Sequence, residues 1–316
     1  MLTDSHLTEL PEWLRERYPF HTRTTEIGSF NMSFVDEGPS DAPALLLLHG
    51  NPTWSFLFRN LIRQAMPDRR VIAPDHIGFG LSDKPHNAAY HTLARHIDNL
   101  QILIERLNLH DITLVAHGWG GPIGLGYAVE NARNIARMLL CCTWALPVAN
   151  SNSIKRPLKL RIANSGWTGR FLDSLLNLSL TSAIASRSFR TPSDWTLEAY
   201  SYPFPTMASR GAIGAFSRMF YEPSNADRAT MTKTYEALNK INAPGEILIG
   251  ESDPLMTSLP AYLLRDALPN AGHPVVAPNA SHLLPEDVPE LFAEIVLRSK
   301  PESKSDAPAS MFNILS

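Results

Sequence analysis

Two cysteines in 316 residues, adjacent at Cys141 and Cys142, leave no framework of disulfides to staple a fold. Neighbouring residues do not easily close an unstrained disulfide, so both read as reduced thiols in a buried strand, which points to the cytoplasm. An excess of charge of one sign is also missing: 28 Lys+Arg stand against 31 Asp+Glu, a formal net charge of -3. Without a basic face, nucleic acid and anionic membrane are poor partners. Long apolar runs are absent too. The longest, Met138 to Ala149, is too short for a bilayer and contains Thr143 and Pro147. Met1 to Trp13 is polar and acidic with no apolar core, so no secretory signal is expected. The chain shows no internal repeat and no zinc-spaced set of Cys and His, and its motifs call for no metal and no cofactor.

What is there suits one large α/β domain with an inserted lobe: 44% of residues are hydrophobic and 19% charged. Residues 1–22 read as a loosely attached lead-in. Thr24–Ser29 and Asn31–Asp36 predict a hairpin, and Ala44–Leu48 a strand buried on both faces. A helix from Ser55 to Ala65 and a strand at Arg70–Ala73 follow. The glycine-broken loop Asp75–Asp83 then leads to a helix over His91–Leu107 with apolar residues at helical spacing. Ile112–Ala116 is the next strand, Pro122–Arg133 the next helix, and Met138–Thr143 the next strand. From 147 to 238 no buried-strand run occurs, only short helical patterns and aromatic clusters. The strand pattern resumes at Glu246–Gly250, then gives a helix (Leu259–Leu268), a strand (His273–Ala277) and a last helix (Val288–Leu297). Alternating strands and helices predict a mostly parallel sheet covered on both faces. The expected organisation is a core over 1–146, a helical cap over 147–238, the rest of the core over 239–298, and a disordered tail over 299–316.

The stretch Leu114-Val115-Ala116-His117-Gly118-Trp119-Gly120-Gly121 runs from a strand into a helix with small residues around its centre. That is the pattern of a nucleophile elbow, a tight turn that lifts one side chain above the sheet edge. Position 118 should hold Ser, Cys or Asp, and it holds Gly. Two more strand ends carry chemistry: Gly250-Glu251-Ser252-Asp253 and Ser281-His282. Elbow, acid and His in this order are the order of α/β-hydrolases. His282 is the expected general base and Asp253 the group that orients it. Asp253 is preferred to Glu251 because it lies further past the strand. After Ala44–Leu48 the turn His49-Gly50-Asn51-Pro52 places the backbone N–H of Asn51 opposite that of Trp119, an oxyanion-type hole. The Asn51 amide and the Trp119 indole would add two side-chain donors suited to a halide. Trp54, Trp144 and Trp195 read as core or cap, and His117 as pointing away into structure.

Three stretches closely resemble haloalkane dehalogenases: His49-Gly50-Asn51-Pro52-Thr53-Trp54-Ser55, Asp75-His76-Ile77-Gly78-Phe79-Gly80-Leu81-Ser82-Asp83-Lys84-Pro85, and His117-x-Trp119-Gly120-Gly121. The resemblance covers about residues 20–298. It implies the α/β-hydrolase fold and a small apolar substrate with a halide ion as leaving group. With the acid after the strand at 246 and Asn51 beside Trp119, the chain looks like the subgroup with a late Asp and an Asn–Trp halide pair. That subgroup includes β-lactone decarboxylases of olefin synthesis. The family has an aspartate where this chain has Gly118, so the resemblance implies a hydrolase inactive in this form. A deliberate Asp-to-Gly change and a natural homologue without the nucleophile both fit. Three alternatives stay open. One is a cofactor-independent lyase, decarboxylase or isomerase working through His282–Asp253. Another is an epoxide hydrolase with Tyr200, Tyr202 or Tyr221 as cap tyrosines. The third is a non-catalytic small-molecule binding protein.

Overall fold

The computed structural model describes residues 3–5, 10–147 and 178–298. The tail expected over 299–316 and part of the expected cap, 148–177, lie outside the described residues. Nine strands form one sheet: β1 (Thr3–Ser5), β2 (Thr22–Ile27), β3 (Phe30–Glu37), β4 (Ala44–Leu48), β5 (Arg70–Pro74), β6 (Ile112–His117), β7 (Ile135–Cys141), β8 (Gly245–Gly250) and β9 (Val275–Ala277). Their order is β1-β2-β3-β5-β4-β6-β7-β8-β9. The three pairings at the β1 end are antiparallel, and everything from β5 through β9 is parallel.

Composition explains that division. β2 and β3 mix buried with partly and fully exposed positions, as strands toward the edge of a sheet can, whereas β4 and β8 are buried at every position. Helices cover both faces of the sheet. The helix Arg59–Ala65 packs with Pro289–Leu297, and Leu93–Arg106 packs with Gly120–Glu130. The helix Leu93–Arg106 opens on Thr92, whose hydroxyl accepts from the Arg95 N–H, and it buries Leu93, Leu100, Leu103 and Ile104. Between β7 and β8 the described residues contain helices and no strand: Leu178–Ala185, Asp194–Ser201, Gly211–Tyr221 and Asn225–Glu236. This inserted segment is joined to the core by the Trp54 indole, which donates to the Ala199 carbonyl (3.2 Å), and by Phe216, which packs on Phe79.

Three expectations are corrected. Where the lead-in is described it is not loose: β1 pairs with β2, and Leu14, Tyr18 and Phe20 are fully buried, with the Tyr18 hydroxyl 2.6 Å from Ser55 Oγ. The segment Ser55–Ala65 opens as a tighter 3-10 turn over Ser55–Phe58 before the α-helix begins. The strand expected at Met138–Thr143 starts earlier and stops at Cys141. Cys142 takes φ 48, a left-handed conformation, and its N–H donates to the Leu248 carbonyl. Thr143 is thereby turned out of the ladder, and its hydroxyl donates to the Gly118 carbonyl at 2.6 Å. Both cysteines are free and buried, as read from the sequence. Among the described residues no helix is long and apolar enough to cross a membrane.

Candidate active site

Gly118 sits at the top of β6, where the chain reverses into the helix Gly120–Glu130. Its φ is 53, a region that most side chains enter only with strain. The turn is tied down on every side. The Gly118 N–H donates to the Cys141 carbonyl, and the Gly121 N–H and the Thr143 hydroxyl donate to the Gly118 carbonyl. Gly120 has no room for a side chain, because a Cβ there would drive into the Leu48 carbonyl of β4. The elbow inferred from small residues is therefore a built feature of the backbone.

A Cβ placed on Gly118 would lie 3.6 Å from Nε2 of His282 and 3.4 Å from Cα of Gly50. Both are ordinary contacts, so a side chain at this position would stand between the imidazole and the turn after β4. The His282 ring is held from behind: Nδ1–H donates to Asp253 Oδ2 at 2.9 Å. Asp253, not Glu251, makes this pair. Glu251 is exposed and accepts from the Asn279 N–H instead. The Asp253 side chain is fully buried, which opposes its ionisation. The charge and hydrogen bond of His282 and the N–H groups of Met256 and Leu255 prevail, and its carboxyl lies below the ordinary range. The main chain of His282 is fixed by His117, whose Nε2–H donates to the His282 carbonyl at 2.8 Å. Burial, foremost, and the neighbouring His282 depress the His117 pKa to about 3, so that ring stays neutral. His117 thus points into structure, as expected, and that structure is the back of the general-base candidate.

The Asn51 and Trp119 main-chain N–H groups have no acceptor among the described residues. The Trp119 indole N–H has none either, and its ring is wedged edge-on against Trp144 and Phe216. Asn51 departs from expectation. Its side-chain nitrogen donates to the Ile213 carbonyl and to Ser217 Oγ, both at 3.3 Å, while the buried Oδ1 has no partner among the described residues. The helix Gly211–Tyr221 reaches this amide from the inserted segment, a contact that no local pattern announces.

These groups surround a cavity of about 30 Å³. Gly118, Asn51, Trp119 and His282 line it, and so do residues absent from the sequence reading of the site: Trp144, Arg187, Leu255 and Met256. Trp144 is therefore a wall of the cavity, not core alone. Of the three tyrosines considered for an epoxide site, Tyr221 lines the cavity. Tyr200 is buried elsewhere and donates to Glu286, and Tyr202 is exposed. Cys142, Asp253 and His282 offer three ligand atoms within 4.8 Å of one another. Asp253 and His282 are already bonded to each other, however, and burial, foremost, keeps the Cys142 thiol protonated. The trio fits a dyad backed by a thiol better than a metal centre.

The family described as alpha/beta hydrolase fold matches residues 43–289. A haloalkane dehalogenase of Mycobacterium marinum is 32% identical over 287 residues, which is 88% of this chain and 94% of that protein. The chain belongs to the haloalkane dehalogenase family of α/β-hydrolases. A cis-3-alkyl-4-alkyloxetan-2-one decarboxylase of Shewanella oneidensis is 36% identical over 195 residues, 61% of this chain and 60% of that protein. The crystal structure of a haloalkane dehalogenase from Bradyrhizobium elkani superimposes with a TM-score of 0.78 at 25% identity, covering 86% of this chain and 94% of that one. Dehalogenases and a lactone decarboxylase thus both stand among the relatives of this family member.

The elbow geometry gives a stability expectation. A non-glycine residue at φ 53 costs about 1–3 kcal/mol. Glycine's larger unfolded-state entropy offsets about 0.5–1 kcal/mol of that. The unmodified chain is therefore expected to melt no lower than Gly118→Asp. A clearly higher melting temperature for Gly118→Asp in calorimetry would contradict the strained elbow.

Proposed function

We propose that this chain carries a haloalkane-dehalogenase site, built for carbon–halogen bonds or β-lactones, from which the attacking carboxylate is missing. The observation that carries this reading is the space above Gly118. A side chain there would face Nε2 of His282 at 3.6 Å, with Asp253 behind the ring and the donors of Trp119 and the Asn51 main chain beside it. In this reading the described part of the inserted segment, from residue 178 to 238, is a cap over the cavity. His282 is the base for the water of the second step, Asp253 holds its tautomer, and Asn51 and Trp119 receive the leaving group. Without a nucleophile the first step has no attacking oxygen, and the unmodified chain releases no halide.

Halide binding does not need the nucleophile, and an absent carboxylate removes like-charge repulsion from the site. Iodide is expected to quench tryptophan emission with a saturable component, and Trp119→Phe to remove that component. Purely linear, unsaturable quenching that is the same in both proteins would count against an anion site at Trp119.

A second reading is favoured by one observation. Nε2 of His282 has no hydrogen-bond partner among the described residues and faces the cavity. A base poised in this way serves a proton-abstracting lyase, decarboxylase or isomerase without a covalent intermediate. Product formation from a β-lactone or a carbon acid by the unmodified chain, lost in His282→Gln, would select it.

A further inference from the structure

We propose that the cavity above Gly118 binds a small carboxylate anion, gripped by the guanidinium of Arg187. The inference rests on the reading above for the elbow, but on a residue that reading does not use. Arg187 follows the helix Leu178–Ala185, and two hydrogen bonds bring it to the site. Its carbonyl accepts from the N–H of Leu283, the residue after His282, and its Nη1 donates to the Asn51 carbonyl, both at 2.9 Å. Its side chain lines the cavity beside Gly118, Trp119 and His282. That single bond uses one of five guanidinium N–H groups, and Arg187 makes no ion pair among the described residues.

Donors facing this space are the N–H groups of Asn51 and Trp119, the Trp119 indole and the unused N–H groups of Arg187; Ser217, Tyr221 and Nε2 of His282, an acceptor when Nδ1 carries the hydrogen, line it as well. The nearby negative charge, Asp253, stands behind the imidazole and is already committed to His282, Leu255 and Met256. In a family member with a carboxylate at the elbow, that group would balance the cation. Gly118 supplies none, so the buried guanidinium has the charge of Asp253 in its surroundings but no ion pair among the described residues.

Shape decides which anion. A guanidinium offers two parallel N–H bonds that match the two oxygens of a carboxylate, whereas a spherical halide takes one contact. The ligand carboxylate would stand where the side chain of residue 118 would have been, within reach of His282 Nε2. At about 30 Å³ the cavity takes a group the size of formate or acetate. Its remaining walls are mostly apolar, Trp144, Phe220, Leu255 and Met256 beside Ser217 and Tyr221, so the chemical class is a short aliphatic carboxylate.

The test is calorimetric titration of the full chain with acetate and with acetamide, its neutral isostere, at constant ionic strength. Acetate is expected to bind at one site, to displace the saturable iodide quench, and to bind far more tightly than acetamide. Arg187→Gln should weaken acetate by about tenfold or more, with Arg187→Lys between the two. Gly118→Asp, which brings its own carboxylate, should lose acetate binding. Equal affinity for acetate and acetamide, no acetate binding by the unmodified chain, or an unchanged affinity in folded Arg187→Gln would each overturn the proposal. If Arg187→Gln does not fold, the acetate–acetamide comparison and the Gly118→Asp titration decide it alone. The two readings separate cleanly. Acetate binding with a Gly118→Asp protein that never turns over supports the carboxylate site and removes the dehalogenase reading; turnover without acetate binding in the unmodified chain does the reverse.

Discussion

Gly118→Asp is expected to release halide, and the unmodified chain is expected to release none. Removing a covalent nucleophile costs an enzyme up to about 10⁶ in kcat, so the gain should be several orders of magnitude. The backbone is already shaped for it: φ 53 at Gly118, 3.6 Å from the Cβ position to His282 Nε2, and 2.9 Å from His282 Nδ1 to Asp253. The introduced carboxylate attacks the carbon, a carbon–oxygen bond forms as the carbon–halogen bond breaks, and halide leaves toward Trp119. Water then adds to the ester while His282 takes its proton. The alcohol departs, and the carboxylate is regenerated. A broad panel of haloalkanes and β-lactones assayed for halide or ring opening checks this. Complete silence from a folded Gly118→Asp protein would mean that the shared geometry serves other chemistry.

Stability is expected to fall steeply as the pH drops below neutrality. Five buried histidines have pKa values below the ordinary 6.5. His76 and His117 lie at about 3 and His91 at about 4, and His49 and His96 are well below their ordinary value. Burial is the first cause in every case. Neighbouring imidazoles add to it in a cluster where His49, His76, His96 and His91 lie ring to ring, and Arg218 adds to it at His91. The unfolded chain therefore binds protons below pH 6.5 that the folded chain refuses until its own lower values are reached. Each such group withdraws on the order of 1.4 kcal/mol per pH unit across that window. Asp75 works the other way: burial raises it to about 6, so the folded chain holds one extra proton between 3.8 and about 6. Burial also raises the Asp287 carboxyl, so two carboxyls offset at most two of the five histidines, and at least three remain. Urea unfolding between about pH 7 and about pH 5 should show a loss of several kcal/mol. A flat profile would mean that these rings have proton partners or access to water.

The parts legible in the sequence were those set by short-range pattern. An all-apolar run gave β4, and the run at 246 gave β8. Ala116, Gly120 and Gly121 announced the elbow because strand and helix nearly touch there. Asp253 and His282 were found because both follow strands, and neighbouring parallel strands bring their ends together. What escaped was set by contacts across the fold. Leu14, Tyr18 and Phe20 lie in too short a pattern to announce burial; Tyr18 is held by packing on Trp54 and by Ser55, and Phe20 packs on Tyr18. The end of β7 depends on Cys142 turning left-handed, which a residue with a Cβ does not advertise. Arg187 sits between Ser186 and Ser188 in no recognisable pattern, and only its bonds to Asn51 and Leu283 reveal it. The engagement of the Asn51 amide with Ile213 and Ser217 spans more than 160 residues, well beyond any local pattern.

Central to everything above is that position 118 is the nucleophile position of an otherwise complete site. The most direct measurement is intact-mass analysis of the double variant Gly118→Asp, His282→Phe after incubation with a 1-haloalkane. Attack should proceed and hydrolysis should stall, so the protein should gain the mass of one alkyl group, mapped by peptide digestion to the residue at 118. Recovery of the folded double variant with its mass unchanged, under conditions where Gly118→Asp alone releases halide, would contradict the assignment of the elbow.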